Sequence, residues 1–348
     1  MSGRAQSGGA ASAAGTGSPL VELHTHLEGA VTPARLRELA AKHGQTGLVR
    51  NCLSADGRGY AFQGFAGFLE LFKLVTLLLR TPADYHAVAR DLAAMLQADG
   101  VIYAEVTVAY GVMQKRGIDP LPVQAALAEA AAAAHEQQGV IIRWLPDAVR
   151  QFGVNAARRA LDAALQAGRD AGVVGFGLGG DEMAAPPGPF ASLFAAAREA
   201  GLGVIIHAGE TGGPDSVRAA VTECGATRIG HGIAAVQDPA VMDLLRRERV
   251  WVELCPGSNL RTGVVVRPET HPWRRFVDAG IPCNLNTDDR AIFQLDLPGE
   301  YAWAAAHGGL ARHEILAMQL AALEAAFCSV RERQQLVARL AREEGEAG

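Results

Sequence analysis

The sequence predicts an α/β fold, a single (β/α)8 barrel, and three observations carry that prediction. Eight short apolar runs rich in β-branched residues recur along the 348 residues. Stretches with helical spacing separate most of them. No G-x-G-x-x-G or Walker-type loop is present, which removes the main support for an open nucleotide-binding sheet. The runs are PLVELH, GVIYAEVTV, GVIIRWL, GVVGFGL, LGVIIHAGE, TRIGHG, RVWVELC and IPCNLNTDD, with helical segments such as LPVQAALAEAAAAAHEQQ and PFASLFAAAREA between them. The barrel domain is assigned to residues 19–348, and the Gly-, Ala- and Ser-rich opening, residues 1–18, to a disordered tail that lacks the apolar core of a secretory signal.

The first crossover is too long for one helix. Residues 33–100 contain PARLRELAAKHG, a polar loop around SADGRGY, then FQGFAGFLELFKLVTLLLR and PADYHAVARDLAAMLQADG. Phe62, Phe65, Phe68 and Phe72 fall three and four apart and form an aromatic stripe on one face. Such a stripe packs into a core or closes over the barrel mouth, where insertions in barrel enzymes sit. After the eighth run the chain ends in three helical segments that read as closing helices.

A net charge of -5, 49% hydrophobic and 20% charged residues suit one large domain with a substantial core. No basic cluster offers a footprint for nucleic acid, and no apolar run is long enough to span a membrane. The expected partner is a small molecule. Cys52, Cys224, Cys255, Cys283 and Cys328 are odd in number and without C-x-x-C spacing, which argues against a disulfide framework or a thiolate zinc site and points to the cytoplasm.

Chemically capable residues gather at the ends of the apolar runs. His24 and His26, one residue apart in the first strand, face the same side; His207 and Glu210 end the fifth run, His231 the sixth, and Asp288 with Asp289 the eighth. In a barrel the C-terminal strand ends converge on one face, so three imidazoles and a carboxylate can surround one Zn²⁺. His43, His86, His135, His271, His307 and His313 lie off this pattern and are read as surface or packing residues.

H-x-H, HAGE, RIGHG, ELCPGSN and NTDD, in this order from about residue 20 to 330, resemble the adenosine deaminase family of the amidohydrolase superfamily. The resemblance implies a hydrolytic deaminase with one zinc on His24, His26, His207 and Asp288. It further implies that Glu210 protonates purine N1, that His231 deprotonates the attacking water or stabilises its charge, that Asp289 bonds N7 and the Gly180 backbone N3, and that Glu28 lies near the sugar. Phe68 and Phe72 would face the substrate from the aromatic stripe. Binuclear relatives bridge two metals with a lysine from the fourth strand, but all three lysines (Lys42, Lys73, Lys115) precede GVVGFGLGGDE, so a one-metal site is expected; Glu182 leaves a carboxylate-bridged pair as the alternative.

The resemblance implies a 6-aminopurine as the substrate, with a nucleoside as the first expectation. Glu28 and Arg290 stand where the nucleoside enzymes usually have Asp and Pro. VTVAYGVMQKRG, LPDAVRQFG and GVVGFGLGGDE look more like the bacterial deaminases of 6-aminodeoxyfutalosine, a menaquinone precursor carrying a benzoate. Arg150, Lys115 and Arg116 are the candidate anchors for that carboxylate. Adenosine or deoxyadenosine is the alternative, followed by adenine and by a barrel that only binds a nucleoside.

Overall fold

A computed structural model describes residues 19–50 and 52–347, the side chains of 343–347 excepted; the predicted tail, residues 1–18, lies outside the described residues. All eight predicted strands form: β1 (Leu20–His26), β2 (Val101–Val108), β3 (Ile141–Val149), β4 (Gly175–Gly179), β5 (Gly203–Ala208), β6 (Arg228–His231), β7 (Trp251–Leu254) and β8 (Cys283–Leu285). They pair in sequence order and all in parallel, as chain segments joined by right-handed helical crossovers do. Just past β8 the chain returns to β1: Asp288 bridges Thr25, the His26 N–H donates to the Asp288 carbonyl at 3.0 Å, and the Asp288 N–H donates to that of His24 at 3.1 Å. The backbone contact that closes the barrel therefore runs through three residues of the site.

The long first crossover holds helices Pro33–Lys42, Thr46–Val49, Gly64–Thr76 and Pro82–Ala98. Helix Gly64–Thr76 turns Phe68, Leu71 and Val75 inward, while Phe65 and Phe72 stay half-buried. Phe68 packs on Phe293, with ring centroids 4.9 Å apart. Thus the aromatic stripe combines the two alternatives that the sequence offered. One edge joins the core, and the other roofs the barrel mouth.

At the opposite end, helix Arg312–Ala325 packs Ala322, Leu323 and Ala325 on Val21, Leu23, Ile102 and Tyr103. Phe327 plugs the base against Leu145, Val174 and Ile205, under the Arg228 guanidinium at 4.1 Å. No helix among the described residues is long and apolar enough to cross a membrane.

Candidate active site

Strand alternation places His24 and His26 on the inner side of β1, and β5 adds His207 from across the barrel. His26 Nε2 lies 3.3 Å from His207 Nε2, and Asp288 Oδ1 lies 3.4 Å from His24 Nε2 and 3.2 Å from His26 Nε2. All four ligand atoms lie within 4.8 Å of one another. A tetrahedral ion with bonds of about 2.1 Å separates its ligands by about 3.4 Å, so this donor set fits zinc. His24 Nε2 is buried and makes no hydrogen bond, while its Nδ1 meets Glu253 Oε2 at 2.8 Å. That contact presents Nε2 as the free ligand atom, as an outer carboxylate does in histidine metal sites.

Electrostatics divides the cluster. Burial lowers the basicity of His24, but the Asp288 and Glu253 carboxylates outweigh it and raise the imidazole to about 9. Burial and the neighbouring imidazoles hold His207 well below its ordinary range. Two adjacent carboxyls are driven apart: burial opposes ionisation of Asp288, yet the surrounding imidazoles hold it well below the usual carboxylate range, whereas burial and the Asp288 charge push Asp289 well above it. Glu210 is likewise pushed well up by burial and by the Asp288 and Glu182 charges. A neutral acid thus stands beside an ionised one, a division of labour typical of acid–base sites.

Glu210 Oε2 lies 3.7 Å from His231 Nε2, and His231 Nε2 lies 4.0 Å from Asp288 Oδ2, which also accepts from the Ser258 hydroxyl at 2.6 Å. His231 and Asp288 both have φ of 63°, a left-handed conformation that costs a non-glycine residue about 1–3 kcal/mol. The strain aims both side chains at one point above the strand ends.

That point is the floor of a cavity of about 620 Å³, lined among others by His26, Phe65, Phe68, Phe72, Lys115, Arg116, Asp147, Gly180, Glu210, His231 and Asp289. Its size suits a small molecule. Gly180, at φ +92°, borders it with bare backbone, because a Cβ there would lie 2.2 Å from the Gln151 side chain. A Cβ at Gly179 would lie 2.7 Å from Asp147 Oδ2, so the glycine-rich β4 makes room for Asp147.

Three sequence expectations meet a different geometry. Arg150 is buried and does not line the cavity; its guanidinium donates to the carbonyls of Gly179, Ala185 and His207, at 3.4, 3.0 and 2.5 Å, so it braces strand ends and is not free to anchor a carboxylate. Glu182 accepts from the backbone N–H groups of Gly209, Glu210, Thr211 and Gly212 at 2.5–3.0 Å, which shapes the Glu210 loop and removes the carboxylate bridge to a second metal. Glu28 lies behind the cavity wall, accepting from the Ala109 N–H at 3.0 Å, with its other oxygen buried and unbonded. His271, read as a surface or packing residue, is the latter: it is buried and bonded to Asn259 beneath His231. Arg290 pairs with Glu22 at 2.8 Å and Asp99 at 3.0 Å, so its departure from the usual Pro is architectural.

Sequence reasoning passed over Asp147, Glu253 and Asn259. Asp147 and Glu253 sit in apolar strands, and an inward-facing carboxylate at a strand position was the available signal. Burial pushes the Asp147 carboxyl up to about 8, and its Oδ1 has no partner.

A family model described as adenosine deaminase matches residues 19–343. The chain belongs to the adenosine deaminase family. Among its relatives in this family, it is 37% identical over 321 residues to an adenine deaminase from Chelativorans sp., covering 92% of this chain and 97% of that one. It is 35% identical over 328 residues to an aminodeoxyfutalosine deaminase from Streptomyces avermitilis, covering 93% and 90%. The crystal structure of an adenine deaminase from Arthrobacter aurescens superposes with a TM-score of 0.84 at 26% identity, covering 93% of this chain and 98% of that one. As a family member the protein is a metal-dependent aminohydrolase, a deaminase of adenine- or adenosine-type substrates.

Proposed function

We propose that this deaminase is a one-zinc enzyme of the cytoplasm acting on 6-aminodeoxyfutalosine in menaquinone biosynthesis. One observation carries the choice of substrate: Lys115 and Arg116 line the same cavity as the acid and the proposed metal ligands, and neither is paired with a carboxylate among the described residues. Arg116 Nη2 donates to the Lys73 carbonyl at 2.9 Å, while Nη1 is buried and unbonded. A carboxylate carried on the sugar side would satisfy that nitrogen and the neighbouring ammonium.

His24, His26, His207 and Asp288 would hold the zinc, which supplies a water that loses its proton near neutral pH. The chain's own residues do the rest. Glu210, kept neutral by burial, gives its proton to ring N1 as the ring loses aromaticity. Asp289, neutral for the same reason, donates to N7, and the Gly180 N–H donates to N3. His231 and Asp288 address the water oxygen as it bonds C6; the proton the water gives up passes through Asp288 to the 6-amino group, the C6–N bond breaks to release ammonia, and the remaining hydroxyl proton returns to Glu210. Phe65, Phe68 and Phe72 cover the purine and exclude bulk water. Asp147, next to Gly179 and with an unbonded oxygen, bonds a sugar hydroxyl.

The similarity to an adenine deaminase makes adenine the second reading. A free base leaves the cationic rim and Asp147 without partners, which is why the nucleoside reading is preferred. The test is loss of 6-aminopurine absorbance by zinc-loaded enzyme offered aminodeoxyfutalosine, adenosine and adenine separately. We expect kcat/KM for aminodeoxyfutalosine to exceed the others at least about tenfold, and Arg116→Met to raise KM for it by about 10–100-fold while leaving adenosine nearly unchanged. A tenfold preference for adenosine or adenine would defeat the assignment.

A further inference from the structure

Beneath His231 a short chain of hydrogen bonds ends on a backbone amide, whose direction is not open to choice. The Trp273 N–H donates to His271 Nδ1 at 3.1 Å. His271 Nε2 meets Asn259 Oδ1 at 3.2 Å, and Asn259 Nδ2 meets His231 Nδ1 at 3.3 Å. His271, Asn259 and His231 are all buried.

Each proton in this chain follows from the one before it. A backbone amide can only donate, so His271 Nδ1 is an acceptor and carries no hydrogen. A neutral imidazole then carries its hydrogen on Nε2, which donates to Asn259 Oδ1. The Asn259 amide is thereby oriented, and its NH₂ donates to His231 Nδ1. Turning the amide over would require His271 to accept at both nitrogens, which only an imidazolate could do. Turning the His271 ring would set carbons against both partners. Burial holds His271 low, at about 3, so its imidazole is neutral near pH 7.

We infer that the Trp273 amide, relayed through His271 and Asn259, fixes His231 as the Nε2–H tautomer, so that His231 meets the reacting atoms as a hydrogen-bond donor. Asn259 and His271 are positioning residues for that role. Of the two roles the sequence left open for His231, the relay selects stabilisation of negative charge on the attacking oxygen. The Nε2 nitrogen, its lone pair held in the ring, takes no second proton, and Nδ1 is occupied by the Asn259 N–H, so the proton lost by the water is left to Asp288, whose Oδ2 lies 4.0 Å from His231 Nε2.

The inference rests on the deaminase reading only in its kinetic arm; the spectroscopic arm stands without it. In zinc-loaded, ¹⁵N-histidine-labelled full-length protein, with His231 assigned by its absence in His231→Ala, Nδ1 of His231 should resonate as unprotonated and Nε2 as protonated. The reverse pattern in the wild type overturns the relay. Asn259→Asp replaces the donor with a carboxylate that only accepts. It should move the His231 proton to Nδ1 and lower kcat about 10²-fold with KM changed less than threefold. An unmoved proton overturns the relay, and a moved proton with unchanged kcat overturns the donor role. His271→Gln keeps a donor toward Asn259 and should retain the wild-type His231 pattern; loss of that pattern would also count against the relay.

Discussion

At the scale of single residues, the site works by keeping chemically similar groups in different protonation states. Asp288 is surrounded by imidazoles and is held toward its ionised form, while Glu210, although His231 lies beside it, is pushed toward its neutral form by burial and by the Asp288 and Glu182 charges. Glu210→Gln keeps the size and the hydrogen-bonding capacity of the side chain but has no proton to give. We expect kcat to fall about 10²–10⁴-fold with zinc content and thermal stability unchanged, measured by stopped-time deamination and metal analysis of the same preparation. Full turnover in that variant would remove Glu210 from the acid role. The clustering of His24, His26, His207, Asp288 and Glu210 at the barrel mouth was legible in the sequence because each lies at or just past the end of an apolar strand, where the fold predicts convergence. Arg150 was misread for the opposite reason. Its neighbours Val149 and Gln151 gave no sign that three carbonyls, two from the ends of β4 and β5 and one from the loop between them, would close around the guanidinium. Asn259 and His271 were missed because their importance lies in contact with each other, across a turn that spacing does not reveal.

At the scale of elements, the insertion after β1 was legible as helices and as an aromatic face, because period and spacing are local properties. What anchors it was not. Helix Pro82–Ala98 begins with a capping box: Thr81 Oγ1 accepts from the Asp84 N–H, and Asp84 accepts from the Thr81 N–H at 2.9 Å. Asp84 also accepts from the Arg80 N–H at 3.0 Å, Lys42 at 2.5 Å and His43 Nε2 at 2.9 Å, which ties this helix to the end of helix Pro33–Lys42. Burial alone would raise the Asp84 carboxyl, but these donors hold it at about 2. Its folded pKa lies below the unfolded value of about 3.9, so the stabilisation is complete above that value and is lost as pH falls through the interval down to about 2. Asp84→Asn should cost about 2 kcal/mol at pH 7 and show a smaller deficit near pH 2.5, read from urea unfolding at both pH values. An equal deficit at the two pH values would show that the ionised form makes no special contribution.

At the scale of the whole molecule, the barrel carries a buried charge network that joins its base to its catalytic floor. Arg228 on β6 pairs with Glu253 on β7 and Glu105 on β2 and donates to the Leu23 carbonyl on β1 at 3.1 Å. Glu253 in turn bonds His24, and Glu105 accepts from the Phe327 N–H in the segment that plugs the base. One guanidinium thus sets the position of the carboxylate partner of His24, a proposed metal ligand, and of the C-terminal closure, a linkage that runs between strands distant in sequence. RIGHG displayed Arg228 plainly, yet nothing local in that motif says which carboxylates it meets. Arg228→Met keeps the stem and removes the charge, leaving two carboxylates uncompensated in the core. We expect a loss of about 3–5 kcal/mol, the usual cost of removing one partner from a buried charge cluster. Glu253, freed from the guanidinium, should also hold His24 less firmly, and outer-shell changes of this kind weaken metal affinity by about 10–100-fold. Chemical denaturation of the metal-free protein separates the first effect from the second, which competition against a zinc chelator measures directly. A variant with lowered stability and unchanged zinc affinity would confine the network to architecture, whereas a fall in both would make the closure at the base of the barrel part of what holds the metal at its mouth.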